Sequence, residues 1–193
     1  MITHIQGKLV EKNPTDVVID CNGVGYMLNI SLHTYSQIPN QEHLKLYTHL
    51  QIKEDSHTLY GFSSLGERQI FRLLISVSGI GTSTARTMLS SLTPKQVREG
   101  IALEDIALIQ SVKGIGLKTA QRVVIELKDK VLKAYDIDEG ITFQSNTNKD
   151  EALSALEVLG FTKKQSERVV DKIVSINQEA SVEAIIKEAL KKL

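Results

Sequence analysis

Short apolar or alternating runs fill the first 62 residues of the chain: Ile2, Leu9-Val10, Val17-Val18-Ile19, Tyr26-Met27-Leu28, Leu44–Ile52 and Thr58–Phe62. Turn chemistry separates them at Asn13-Pro14-Thr15-Asp16, Asn22-Gly23 and Pro39-Asn40, and runs so bounded predict strands. Five or six strands in about 60 residues suggest a small closed barrel, with the five-stranded oligonucleotide-binding type as the natural candidate. Glu54-Asp55-Ser56 falls between the last two runs and is predicted to cap a β-hairpin. Taken alone, it reads as an ordinary polar turn.

Beyond residue 63 the spacing becomes helical. Ile70, Phe71, Leu74 and Ile75 form an apolar stripe with Arg68, Gln69 and Arg72 beside it. Thr93-Pro94 reads as an N-cap followed by proline at the first helical position. Short helices are predicted through Gln96–Gly100 and Leu103–Gln110, and from Leu117 onward Ala120, Val123, Val124 and Leu127 keep one face apolar. Residues 135–148 break the period and are polar, which predicts a flexible linker. Residues 149–193 return to helical spacing. Ala152, Leu153, Leu156 and Leu159 make a face closed by Gly160; Thr162 and Gln165 have capping-box spacing; Ser181 starts a third helix. The expected organisation is therefore multidomain α+β. An oligonucleotide-binding-like β barrel spans 1–63, a helical domain 64–134, a linker 135–148 and a three-helix domain 149–193.

The helical middle contains a duplication. Moving Gln69–Leu92 by 35 positions onto Glu104–Leu127 gives nine identities in 24 places, among them Gly79-Ile80-Gly81 on Gly114-Ile115-Gly116. Each copy reads helix, glycine hairpin, helix. Such a turn aims backbone N–H groups outward at a helix N-terminus, where the dipole also favours negative charge. One copy could equally serve close helix packing; two with the same flanks predict a grip on a phosphate backbone. Gly79, Gly81, Ser83, Gly114, Gly116, Lys118, Thr119 and Arg122 are the candidate phosphate-binding positions, with Lys113 adding charge nearby.

Charge supports that choice. The chain is neutral overall, with 23 basic and 23 acidic residues. Residues 1–62 carry four Lys/Arg against six Asp/Glu, residues 63–135 eleven against six, and residues 136–193 eight against eleven. The duplicated segment is thus the basic one, at +5 between flanks of −2 and −3. Binding through phosphates is expected to be sequence-tolerant, with log affinity falling against log salt by about 0.9 per phosphate neutralised.

Other chemistry is sparse. Cys21 is the single cysteine, and the five histidines lack metal-ligand spacing, so no metal and no cofactor is expected. Leu117 stands where a phosphate-binding loop ending in Lys118-Thr119 needs glycine, and Leu28 spoils Gly23-Val24-Gly25 as a dinucleotide fingerprint. No ATP motor or catalytic site is expected in this chain. With no apolar run near the roughly 20 residues of a membrane span and no leader-like start, a cytoplasmic setting is expected.

The order of parts resembles the RuvA family, the DNA-binding subunits of the bacterial RuvAB machine that moves Holliday junctions. The resemblance runs the length of the chain: a barrel ending in Leu59-Tyr60-Gly61-Phe62, tandem helix-hairpin-helix motifs, a linker and a three-helix tail. It implies a homotetramer, or two on one junction, with Glu54 and Asp55 as an acidic pin at the junction's centre. It also implies contact between residues 149–193 and the hexameric ATPase RuvB, with the resolvase RuvC as a further partner. One departure stands out. The family often places Pro-Lys just after the first hairpin, and this chain has Thr82-Ser83.

Two rival readings stand beside this one. In helix-hairpin-helix glycosylases a lysine placed like Lys118 works with an aspartate one helix later, here Asp136. A protein-only adaptor is the other, and it leaves the duplicated hairpins unexplained.

Overall fold

The computed structural model describes residues 1–39, 42–138, 147–177 and 180–193. Strands β1 (His4–Lys12), β2 (Asp16–Cys21), β3 (Val24–Asn29), β4 (His43–Ile52) and β5 (His57–Phe62) close into a barrel in the order β1-β2-β3-β5-β4. Neighbours are antiparallel except β3 and β5, which run parallel with Leu28 opposite Leu59. This is the oligonucleotide-binding arrangement. The period of two explains the filling: Ile5, Val17, Ile19, Leu28, Leu44 and Leu46 point inward and are buried. Asn22-Gly23 makes the β2–β3 turn with both residues at positive φ, 54° and 89°, which suits the right-handed twist of a hairpin.

One element was not foreseen. Helix α1 (Leu32–Gln37) lies between β3 and β4, capped by Ser31, whose Oγ accepts from Thr34 N at 3.0 Å. At six residues it is too short to display a helical period, although its cap is an ordinary one. The expected turn at Pro39-Asn40 runs out of the described residues at position 40.

Helices α2 (Leu65–Ile75), α3 (Thr82–Ser91), α4 (Pro94–Ala102), α5 (Ile106–Gln110) and α6 (Leu117–Asp138) pack around Phe71, Leu74, Met88, Leu89, Ile101, Ile109 and Leu127. Thr93 and Gln96 form the capping box of α4, with Pro94 at its first position. Tyr60 and Phe62 of β5 belong to this same core, and the Phe71 ring lies 5.1 Å and 4.9 Å from theirs. A polar clasp adds to the joint. Glu67 on α2 is fully buried, and its carboxylate accepts from the hydroxyls of Ser31 and Thr34 at 2.6 Å each and from Ser63 N and Oγ. Residues 1–63 and 64–134 therefore lie within one compact unit, Met1–Glu139.

The ends of the expected linker differ from the sequence reading. Helix α6 continues through 135–138, and α7 (Thr147–Val158) already includes residues 147 and 148. No glycine or proline occurs between Leu117 and Asp138, and a nucleated helix propagates until something stops it. Residues 139–146 lie outside the described set. In the second unit, Gly140–Leu193, α7 packs with α8 (Lys163–Ile176) and α9 (Val182–Ala189) around Ala152, Leu156, Val170, Ile173, Ile185 and Ala189. Gly160 ends α7 at φ +97°, with Phe161 N donating to Leu156 O. Leu159 falls past the helix end and is exposed rather than on its buried face. The Thr162 hydroxyl engages Gln165 Oε1, so it makes no cap for α8. Ser181 does cap α9. Among the described residues no helix is long and apolar enough to cross a membrane, and no three His, Cys, Asp or Glu are grouped to hold a metal ion.

Candidate nucleic-acid interface

The duplication in sequence is a duplication in structure. Ser76 is the C-cap of α2, and its Oγ donates to Leu73 O at 2.7 Å; Ser111 is the C-cap of α5, and its Oγ donates to Leu108 O at 2.7 Å. Val77 and Val112 anchor the two turns, each 2% exposed, and Ile80 and Ile115 follow at 5%. Ile80 N donates to Val77 O, and Ile115 N to Val112 O. The chain then reverses through Gly79 at φ +95° and Gly114 at φ +91°. Gly81 and Gly116 open the second helices, their carbonyls accepting from Ala85 N and Ala120 N at 2.9 Å. Gly81 supplies no side-chain cap, so the first amides of α3 face outward without an intrahelical partner.

The glycines differ in what requires them. Positions 79 and 114 need glycine for their backbone conformation. At Gly81 the backbone is ordinary, φ −85°, and an added Cβ would meet nothing within 4 Å; Gly116 is equally unobstructed. Nothing inside the folded chain excludes a side chain there. A ligand that approaches the backbone closely would.

Side chains complete the surface. Ser83, Lys113 and Lys118 are exposed and Thr119 is half-buried. Arg122, expected beside the second hairpin, reaches the first instead: Nη1 donates to Ser78 O at 3.1 Å, and Nε lies 3.9 Å from Glu126 Oε1. A guanidinium from α6 therefore stands at the hairpin that lacks a lysine at Ser83.

The acidic turn is a four-residue loop closed by Lys53 N donating to Ser56 O at 2.9 Å. Glu54 and Asp55 are exposed, and neither is ion-paired among the described residues. The strand pair bearing the turn is linked to the first hairpin. Tyr60 OH donates to Thr82 Oγ1 at 2.9 Å, and Thr82 Oγ1 donates to Gln51 Oε1 at 2.9 Å. Sequence reasoning marks Thr82 only as a departure from the family's proline and Tyr60 only as part of the barrel's last run; the link between them and to Gln51 is not visible there.

The glycosylase reading fails on distance. Lys118 and Asp136 lie on one continuous helix, eighteen residues apart, which separates them by about 27 Å along the axis.

Comparison with known proteins agrees with these parts. Residues 1–61 match the family described as RuvA N terminal domain, residues 71–129 the SAM-like helix-hairpin-helix tandem, and residues 147–193 the RuvA C-terminal domain. The chain is 66% identical to a protein of Christiangramia forsetii and 66% identical to one of Flavobacterium psychrophilum, covering all of both chains in each case. It is 49% identical to one of Cytophaga hutchinsonii over 99% of each. All three are named Holliday junction branch migration complex subunit RuvA. A likeness at this level over the full length leaves one assignment: the chain belongs to the RuvA family.

Proposed function

We propose that this chain binds four-way DNA junctions by their structure rather than their sequence, holds them open and square, and serves branch migration in recombination and repair. The observation that carries the reading is the unobstructed backbone at Gly81 and Gly116, within the one basic segment of the chain. Backbone amides there can donate to phosphates without reading bases, and Lys113, Lys118 and Arg122 add charge. The acidic turn supplies discrimination. A carboxylate repels a phosphate by about 1 kcal/mol at about 4 Å in water, and more where screening is poorer. In a homotetramer, four copies of Glu54 and Asp55 around one centre oppose a continuous duplex there and favour separated strands. The chain is a non-catalytic cytoplasmic subunit; residues 149–193 engage the RuvB ATPase, which supplies the work, and RuvC is a further partner on the junction.

A gel shift comparing a four-way junction with linear duplex of equal length tests the reading. Strong junction preference is expected, and equal affinity for both would sink it. Glu54→Gln with Asp55→Asn keeps junction binding but narrows the preference; unchanged discrimination would remove the acidic turn from the account.

A further inference from the structure

Thr82, the first residue of α3, is 9% exposed and has both roles of its hydroxyl occupied. It accepts from Tyr60 and donates to Gln51. The direction is fixed, because an amide oxygen offers no proton and Thr82 must supply it. The three residues come from three elements. Tyr60 lies on β5, Gln51 on β4, and Thr82 directly follows Gly81. One buried hydroxyl therefore ties the first glycine turn to both strands that carry Glu54 and Asp55.

The place of the tie matters. Every residue from Ile52 to His57 is exposed, so the end of the hairpin has little packing of its own to fix its direction. Gln51, paired with Thr58, is the last rung with partial cover on both strands. Restraint applied at that rung acts on everything beyond it.

We propose that the Tyr60–Thr82–Gln51 chain is a positioning device that holds the acidic turn at a set distance from phosphates gripped at Gly79 and Gly81. It thereby determines how sharply a junction is distinguished from continuous duplex. This rests on the junction binding proposed above. Charge repulsion falls with distance, so a turn free to swing retreats from the phosphates and loses its penalty on duplex. A tethered turn keeps it. Gln51, Thr82 and Tyr60 act through Glu54 and Asp55 and need not touch DNA.

The test uses the full chain with Gln51→Leu, Thr82→Val, the pair together, and Thr82→Ser. The ratio of junction to duplex affinity is measured by competition, with unfolding temperature and hydrogen exchange of the Lys53 amide alongside. Gln51→Leu and Thr82→Val are each expected to lower the ratio about fivefold, the equivalent of one net hydrogen bond. The pair together lowers it no further, because both break the same link. Thr82→Ser retains the parent ratio, and Lys53 exchanges faster wherever the link is broken. Folded variants with the parent's ratio and the parent's Lys53 exchange would overturn the proposal, as would a loss matched by Thr82→Ser. If the parent chain itself showed no junction preference, the proposed function would fall, and Lys53 exchange alone would decide the link.

Discussion

Gly79 and Gly81 stand two positions apart and respond differently to an added methyl group. At Gly79 the backbone sits at φ +95°, so Gly79→Ala strains the fold itself; the expected loss is about 1 kcal/mol or more in denaturant unfolding. At Gly81 the methyl enters open space at an ordinary φ. Gly81→Ala is expected to leave the unfolding midpoint in place while lowering DNA affinity several-fold, as read by gel shift. A matching loss of stability would place the requirement inside the chain rather than in its ligand. His49 gives a residue-scale prediction of another kind. Burial against α2 lowers its pKa below 6.5, with Arg72 and Arg68 adding to the shift. The unfolded chain then takes up a proton that the folded chain declines. Stability is expected to fall as pH drops below about 6.5 and to level off once the folded imidazole titrates. Denaturant melts between about pH 7.5 and about pH 5 measure this, and His49→Gln removes that component.

At the scale of elements, the two hairpins share a backbone but not a charge. The second has Lys118 at its helix start; the first has Ser83, with Arg122 reaching across from α6. Ser83→Lys is expected to tighten DNA binding at low salt and steepen the log-log salt slope by about 0.9, one more phosphate neutralised. An unchanged slope would mean that Arg122 already occupies that phosphate. The hairpins were legible in the sequence because Gly, Ile, Ser and Val recur at fixed offsets, and the strands because short apolar runs such as Val17-Val18-Ile19 lie between turn residues. Helix α1 was not, since six residues cannot show a period. The end of α6 was not legible either, since the loss of period from residue 135 does not by itself stop a helix that meets no glycine or proline. Nor did the sequence reveal the Glu67 clasp or the Thr82 link. Ser63 apart, their partners are 22 to 36 residues away in sequence, and only the folded unit brings them together.

At the scale of the molecule, Met1–Glu139 and Gly140–Leu193 each have a core of their own. A chain ending at Glu139 is expected to keep the thermal unfolding of the first unit and its junction affinity while losing stimulation by the ATPase, measured as branch migration of a labelled junction. A truncated chain that no longer bound junctions would contradict the assignment of DNA contact to the duplicated segment. Family membership was legible across the whole length because the order of parts is distinctive even where single motifs are common. The bare backbone at Gly81 and Gly116 has one more consequence. Phosphates recur along a strand at a constant interval, and amides cannot tell one from the next. A duplex advanced by one nucleotide, and turned about its axis as its helix requires, would therefore meet the same contacts it has just left. On the function proposed above, the surface would then act as a bearing for the arm, with an energy profile that repeats at every step and has no preferred direction of travel.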